Sequence, residues 1–251
     1  MKAKPLVFLH GWAMTPAIWQ AMAAALDDEA SDIRMPALPG HGTDTTRPRN
    51  SLAAWAEALA PALPRDAILI GWSLGALLAL ELARVRPQQV ARLVLIGSTP
   101  RFVASPDWPH GLDEKTVQGF IEGHARDPAA TLRRFLALQT LGEDARNHLL
   151  RKLSETVCTP RDGQAHQTLA DGLHILATTD LRASLAAIGQ PVCLIHGNGD
   201  ALMPPAAARW LADALPRARL HMLAHRGHAL PVSACDECVA AIRAHLRADF
   251  D

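Results

Sequence analysis

A serine between two glycines stands where a short apolar run gives way to a helical pattern. The pentapeptide Gly71-Trp72-Ser73-Leu74-Gly75 follows the run AILIG and precedes ALLALELARV. In a sharp turn from strand to helix, a serine hydroxyl is exposed beside the N–H groups of the helix N-terminus, which stabilise developing negative charge. The context therefore predicts that Ser73 is a nucleophile, although the pentapeptide alone would also suit a serine that caps the helix.

A serine hydroxyl reacts only with the help of a base and an acid that orients the base. Two of the twelve histidines, His225 and His228, follow the apolar run 219–224, and reactive groups gather beyond the carboxyl ends of parallel strands. We expect His228 to be the base, because Gly227 allows the loop to turn and Pro231 starts a helix soon afterwards. His225 is the alternative.

The acid is predicted to be Asp200, in the sequence Gly197-Asn198-Gly199-Asp200 that closes the run 191–197. An ordinary turn also favours Asn, Gly and Asp. The order Ser, Asp, His along the chain is the one that a sheet with a serine elbow requires, and it favours the catalytic interpretation.

Hydrolysis of an ester also needs N–H donors for the carbonyl oxygen as it becomes an anion. One donor is expected to be the backbone N–H of Leu74, the residue after the nucleophile. The second is expected from Trp12 in His10-Gly11-Trp12, which follows the first apolar run. The alternative is that this tripeptide is a turn that ends a strand and carries a core tryptophan.

The elements that must position these residues alternate along the chain. Apolar runs without polar alternation are typical of strands in a sheet that is covered on both faces. They lie at 6–10, 67–71, 92–97, 191–197 and 219–224, and the more polar segment 31–38 is expected to supply one further strand. Stretches with helical spacing lie between them, at 16–26, 51–62, 74–86, 204–214 and 233–247. This order predicts an α/β fold with a mostly parallel sheet of about six strands flanked by helices.

The alternation stops between residues 105 and 183, where the sequence becomes polar and helical. We interpret this segment as an inserted helical cap, with Asp113, Thr131 and Gly142 as candidate helix caps and breaks. Residues 1–104 and 184–251 would then form one α/β core.

The composition excludes several classes of protein. The 25 Lys and Arg residues equal the 25 Asp and Glu residues, which gives no reason to expect nucleic acid or an anionic membrane as partner. The four cysteines lack the density of a secreted disulfide framework, and Cys235 and Cys238 are interpreted as structural. Neither a metal site nor a nucleotide-binding loop is recognised, so no cofactor is expected. Without a signal peptide or an apolar run long enough to span a bilayer, we expect a cytoplasmic monomer.

Beyond the triad, the whole chain resembles the α/β-hydrolase superfamily and, within it, the pimeloyl-[acyl-carrier-protein] methyl ester esterases of biotin synthesis. The matching runs are LHGWAM (9–14), LPGHG (38–42), GWSLGALLA (71–79), STPRF (98–102), DWP (107–109) and RFLALQTLG (134–142). The resemblance implies cleavage of the methyl ester of a pimeloyl group carried on acyl carrier protein. The N-terminus departs from relatives, since it begins almost directly with the strand before the oxyanion loop, so we expect their opening antiparallel strands to be missing or vestigial here.

The same resemblance implies a set of site residues. Trp12, Ser73, Leu74, Asp200 and His228 take the oxyanion and triad roles, and Trp12, Ser73, Leu74 and His228 also contact substrate. The cap segment that touches substrate is implied to be Phe135, Leu136, Ala137, Leu138 and Gln139. Arg134 and Arg146 match positions that meet the carrier protein, and Arg133, Arg151 and Lys152 are weaker candidates.

The local charge supports an acidic partner independently of the family. Residues 133–152 contain five basic side chains and two acids, Glu143 and Asp144. A positive surface favours binding of an acidic carrier protein. The alternative is that these charges belong to a helical face that is simply solvated. Two other functions remain open, a general hydrolase of small esters or lactones and a binding protein without catalysis. A dehalogenase or epoxide hydrolase would need Asp in place of Ser73.

Overall fold

The computed structural model describes residues 3–42, 44, 46, 48–158 and 163–249. Six strands are present in this part of the chain: β1 (Lys4–Leu9), β2 (Ala30–Arg34), β3 (Ala67–Trp72), β4 (Val90–Ile96), β5 (Val192–Gly197) and β6 (Ala218–Leu223). They form one sheet in the order β2-β1-β3-β4-β5-β6, and every neighbouring pair is parallel. The predicted sheet of about six parallel strands is confirmed.

Alternate residues of each central strand face opposite layers of core. In β1, Val7 and Leu9 belong to one hydrophobic cluster, and Leu6 and Phe8 belong to the other. All residues of β3 and β5 are buried. Both faces of the sheet are therefore covered, which explains why these strands read as continuous apolar runs.

Helices cover the two faces and extend above the sheet. In chain order they are α1 (Gln20–Ala25), α2 (Leu52–Leu59), α3 (Leu74–Val85), α4 (Glu114–Arg126), α5 (Pro128–Gln139), α6 (Arg146–Glu155), α7 (Gly163–Thr178), α8 (Pro205–Ala214), α9 (Leu230–Ser233) and α10 (Cys235–Arg247). Buried residues of α2, α3 and α8 join the cluster on one face, and those of α1 and α10 join the cluster on the other. None of the helices in the described residues is long and apolar enough to cross a bilayer.

Helices α4 to α7 lie between β4 and β5, and we call residues 114–178 the helical insertion. Asp113 caps α4 by accepting a hydrogen bond from the amide of Thr116 (3.0 Å). Gly142 has φ +82° in the turn between α5 and α6. Thr131 was wrongly expected to cap a helix, because Asp127 and Pro128 start α5 earlier and leave Thr131 inside it. The domain boundaries at 105 and 183 stay a prediction.

Candidate active site

The turn after β3 holds Ser73 in an unusual backbone conformation. Ser73 has φ 58° and ψ −120°, and its amide donates to Ile96 O of the next strand (3.0 Å). A Cβ at Gly71 would lie 2.4 Å from Gly75 O, and a Cβ at Gly75 would lie 2.1 Å from Leu9 O. Only glycine fits at both positions. The glycines thus allow α3 to pack on the sheet directly behind a strained serine.

Asp200 and His228 form a buried pair beyond the ends of β5 and β6. Asp200 Oδ2 lies 2.6 Å from His228 Nδ1, and Asp200 Oδ1 accepts from the amides of Leu202 (2.9 Å) and Met203 (2.8 Å). Burial raises the pKa of the Asp200 carboxyl, but its interactions with His228, His196 and the Met203 amide outweigh burial and hold the pKa below its usual value. The carboxylate is therefore ionised at neutral pH.

An ionised carboxylate can only accept at this contact, so His228 donates through Nδ1 and keeps Nε2 as a free base. Nε2 is buried and has no hydrogen-bond partner within the described part of the chain. The tautomer thus leaves the lone pair on the nitrogen that a general base needs.

Contacts around Trp72 and Gly97 bring this imidazole to the edge of the sheet where Ser73 lies. The Trp72 indole donates to His228 O (2.9 Å), and the two ring centroids are 5.6 Å apart. Gly97, after β4, has φ +51°, and a Cβ there would lie 3.1 Å from the ring of His228. Ser73, His228 and Asp200 follow strands that end at this same edge. No hydrogen bond joins Ser73 Oγ to His228 Nε2 among the described atoms, and such bonds often tighten only when substrate binds.

The alternative base, His225, is exposed and has φ +57°, and its amide donates to Asn198 Oδ1 (2.8 Å). This arrangement favours His228. Within this loop, the residue with positive φ is His225. Gly227 lies in a tight space, since a Cβ there would lie 3.0 Å from Leu141 O.

The loop after β1 is fixed by two buried histidines. His41 Nε2 accepts from the amide of Ala13 (3.2 Å), and His10 Nε2 accepts from the amide of Leu38 (3.0 Å). Burial lowers the pKa of His10 to about 3 and that of His41 to about 4. Both rings are therefore neutral, so each can accept at Nε2 while Nδ1 donates to a carbonyl.

This loop carries Trp12, one of the two expected oxyanion donors. The Trp12 indole N–H already donates to Leu169 O (2.8 Å), which leaves the backbone amide as the donor. Neither that amide nor the amide of Leu74, the first residue of α3, donates to another described residue. Both are thus available to an oxygen bound above Ser73.

Comparison with known proteins places these observations in a family. The sequence model for the alpha/beta hydrolase fold matches residues 4–233. The chain belongs to the α/β-hydrolase family. It is similar to curated proteins named pimeloyl-[acyl-carrier protein] methyl ester esterase from Aromatoleum aromaticum and Nitrosomonas europaea. The first is 49% identical over 96% of this chain and 98% of the relative, and the second is 42% identical over 89% and 88%.

A solved structure shares the fold of this α/β hydrolase. The esterase EaEST from Exiguobacterium antarcticum superposes with a TM-score of 0.84 over 98% of this chain and 92% of that chain, at 21% identity. This likeness shows the fold alone. Together with the sequence relatives it confirms the predicted fold class and the resemblance to the methyl ester esterases.

The predicted substrate segment of this hydrolase lies on α5 and faces several directions. Phe135 packs edge-on against Trp12 with ring centroids 4.8 Å apart, whereas Leu136 packs into the cluster on the other face of the sheet. Ala137 and Leu138 are half-buried. Gln139 is buried, and its backbone carbonyl accepts from the amide of His228 (3.1 Å). Only part of this segment contacts the neighbourhood of Trp12.

A mostly apolar cavity of about 200 Å³ lies between the helical insertion and the loop after β1. Two histidines contribute to it, and Nδ1 of each is buried without a hydrogen-bond partner among the described atoms. Its lining consists of Trp12, His124, Pro128, Ala129, Leu132, His166 and Leu169. The cavity gives the hydrolase room for an apolar group beside the loop that carries Trp12.

The predicted partner contacts all lie on the outer surface of the insertion. Arg133, Arg134, Arg146, Arg151 and Lys152 are exposed, and none of them forms an ion pair with a described acid. The guanidinium of Arg134 stacks over the Phe120 ring at 5.1 Å. Arg146 donates to Ala137 O (3.2 Å). The surface formed by residues 133–152 thus presents positive charge, although acids and bases balance over the insertion as a whole.

Several residues that position the site are absent from the sequence predictions. His41, Gly97 and Glu143 act on loops that are distant in the chain, so no local pattern marks them. The LPGHG run contains His41 but gives no indication that its imidazole holds Ala13. Glu143 appears in the sequence only as one of two acids in a basic stretch, and it is buried.

Proposed function

We propose that this α/β hydrolase is a carboxylesterase that cleaves the methyl ester of pimeloyl-[acyl-carrier protein] in biotin synthesis. The observation that carries the proposal is the buried Asp200–His228 pair with its free Nε2, at the same edge of the sheet as the strained Ser73. The specific substrate is supported by curated relatives with that name at up to 49% identity over nearly the whole chain.

In the proposed mechanism, Ser73 Oγ attacks the ester carbonyl while His228 Nε2 takes its proton. Asp200 stabilises the imidazolium that forms. The backbone amides of Trp12 and Leu74 bind the oxyanion, and each such donor contributes on the order of 3 kcal/mol to transition-state stabilisation. The imidazolium then gives the proton to the methoxide oxygen as its bond to the acyl carbon breaks, and methanol leaves. Water then attacks the acyl-enzyme with the same base, which releases a free carboxylate and leaves the thioester to the carrier intact.

Different features of the structure support binding of the acyl chain and binding of the carrier protein. The apolar cavity beside Trp12 suits a chain of methylene groups, and Phe135 lies in contact with the indole. Arg134 and Arg146, with Arg133, Arg151 and Lys152 around them, offer an acidic carrier protein charges that no internal acid neutralises. We also propose that the enzyme works as a cytoplasmic monomer, which light scattering can test by the number of chains per particle.

The test compares three substrates with one pair of enzymes. Wild type and Ser73→Ala are assayed on pimeloyl-acyl carrier protein methyl ester, on dimethyl pimelate and on p-nitrophenyl acetate. We expect wild type to hydrolyse all three, with the highest kcat/KM on the carrier-bound ester. Ser73→Ala is expected to lose about 10⁶-fold in kcat on each.

The outcomes separate the competing functions. Equal kcat/KM on the carrier-bound and the free methyl ester would favour a general esterase, as would failure to restore growth of a biotin auxotroph that lacks the methyl esterase. Equal rates for wild type and Ser73→Ala on all substrates would exclude Ser73 as nucleophile and favour a binding protein.

A further inference from the structure

We propose that Glu143, in the turn between α5 and α6, is a positioning residue for the base His228. The inference rests on the proposed role of His228 and adds a residue that acts through the backbone of its loop. Glu143 does not touch the reacting atoms. It sets where the imidazole stands relative to Ser73.

Three consecutive amides of the base loop end on this turn. The Gly227 amide donates to Glu143 Oε1 (2.7 Å), and the amides of His228 and Ala229 donate to Gln139 O (3.1 and 3.3 Å). The Glu143 contact is the shortest of the three and has a charged acceptor, which makes it the strongest. The backbone on which His228 is mounted is therefore held by the helical insertion as well as by its own strand.

The burial of Glu143 shows that this contact is specific. Its side chain is only 2% exposed, and a buried carboxylate is costly unless hydrogen bonds and charges offset the loss of water. The Gly227 amide supplies the hydrogen bond, and the Arg226 guanidinium lies 3.8 Å from Oε2. Arg226 also pairs with Glu237 (3.0 Å) on α10. The carboxylate thus faces the base loop from inside the protein.

The turn between α5 and α6 packs directly against the loop that carries His228. A Cβ at Gly227 would lie 3.0 Å from Leu141 O, 3.1 Å from Gln139 O and 3.4 Å from Glu143 Cγ. Backbone touches backbone here, so a shift of the turn moves Gly227 and the residue after it. Catalysis is sensitive to such a shift, since a misplacement of about 1 Å can cost on the order of 10²-fold in rate.

The same turn leads into α6, whose first residue is Arg146, a proposed contact of the carrier protein. The Arg146 side chain donates a hydrogen bond to Ala137 O on α5 (3.2 Å), which joins the start of α6 to the end of α5. One short segment of 139–146 therefore contacts the base loop at one end and the positive outer surface at the other. Through it, the helical insertion contributes directly to the geometry of the base.

The test measures kcat and KM for p-nitrophenyl acetate, which needs the triad but no carrier protein. Glu143→Ala is expected to lower kcat about 10- to 100-fold with KM within about twofold, because the base is displaced while the acyl site is kept. Glu143→Gln keeps an acceptor oxygen at the same reach and is expected to recover most of kcat. Glu237→Ala, which removes the other partner of Arg226, is the matched control and should behave as wild type.

A spectroscopic readout separates positioning from loss of structure. The low-field proton resonance of the His228 Nδ1–H bonded to Asp200 should shift or broaden in Glu143→Ala and be retained in Glu143→Gln. If Glu143→Ala does not fold, Glu143→Asp replaces it, since the shorter side chain keeps the charge but cannot reach the amide with the same geometry.

Wild-type kcat in folded Glu143→Ala, or in Glu143→Asp where the alanine variant fails to fold, would overturn the proposal. Equal losses in the alanine and glutamine variants would also contradict it, because they would assign the effect to charge rather than to the hydrogen bond. Failure of the proposed function looks different, since there Ser73→Ala would retain activity or the carrier-bound ester would not be preferred.

Discussion

Several arginines of the α/β core have acidic partners of a kind that the arginines of the helical insertion lack. On the core, Arg84 pairs with Glu81 (2.7 Å), Arg34 with Asp32 (2.7 Å) and Arg243 with Asp28 (2.8 Å). Within the described residues of the insertion, no lysine or arginine forms an ion pair. The core pairs several of its arginines with its own acids, whereas the five basic side chains of residues 133–152 are left without an ion pair among the described residues.

The difference extends to the way each region serves the reaction. The core buries every proposed catalytic group and joins Asp200 to His228 by a hydrogen bond, so its contribution is the positioning of atoms. The basic side chains on the outer surface of the insertion are exposed and have no ion pair among the described residues, so their contribution is attraction at longer range, which salt screens. Variants of the catalytic groups in the core and of their supports should therefore alter kcat on any ester, and variants of the basic outer surface should alter kcat/KM only with the carrier.

Among the variants that leave the nucleophile in place, Asp200→Asn in the core is expected to have the largest effect. An amide accepts at Oδ1 but favours the wrong tautomer of His228, so kcat on p-nitrophenyl acetate should fall by about 10⁴-fold while the fold is retained. Stopped-flow measurement of acylation tests the fall in rate, and circular dichroism tests whether the fold is retained. A fall below tenfold would contradict the assignment of Asp200.

A smaller effect is expected when the oxyanion loop loses its support. His41→Ala removes the acceptor of the Ala13 amide and should displace the adjacent Trp12 amide, lowering kcat by up to about 10²-fold. Gln at this position places an oxygen near the site of Nε2, so His41→Gln should retain much more activity. Equal rates for the two variants would show that the hydrogen bond does not matter.

On the insertion, the combined change of Arg134→Glu and Arg146→Glu should lower kcat/KM for the carrier-bound ester roughly tenfold. Hydrolysis of p-nitrophenyl acetate should stay within twofold of wild type. The combined change of Arg49→Glu and Arg65→Glu, at exposed core arginines without a described ion pair, is the control of equal charge change. The loss of kcat/KM should become smaller at high salt, where charges are screened. An equal loss in the control would show that the arginines of the insertion have no special role in binding the carrier.

The last prediction concerns stability rather than rate: the free energy of unfolding of the core should depend on pH. Folding lowers the pKa of His10 to about 3 and of His41 to about 4, so the unfolded chain binds more protons as pH falls below about 6.5. Stability is therefore complete above pH 6.5 and lost on acidification, by about 1.4 kcal/mol per pH unit for each imidazole. Urea titrations at pH 7 and pH 5 measure it, and His41→Gln should show a weaker dependence than wild type.

The two regions also differ in what could be predicted from the sequence. The strands of the core are continuous apolar runs, and the serine elbow and the order Ser, Asp, His are local or ordered patterns. In the insertion, the sequence predicts Thr131 as a helix cap or break, but Asp127 caps α5 and Thr131 lies inside this helix. Helices in such a polar segment carry weaker signals, since only one stripe of each is buried.

Contacts between the regions could not be predicted at all. The partner of Glu143 is the Gly227 amide, 84 residues away, and the local sequence around either residue does not predict this hydrogen bond. Glu143 was counted with the surface charges of 133–152, although it is buried. The exposed balance there is five basic side chains against Asp144 alone, which strengthens the expected attraction of an acidic partner.

The most direct test of the account is the site at which the enzyme becomes covalently modified. A fluorophosphonate ester is allowed to react with wild type, Asp200→Asn and Ser73→Ala, and the modified peptide is identified by mass spectrometry. The account predicts one phosphonate per chain on Ser73 in wild type, much slower labelling in Asp200→Asn and none in Ser73→Ala. Labelling of Ser73→Ala at the wild-type rate, or of wild type at another residue, would contradict it.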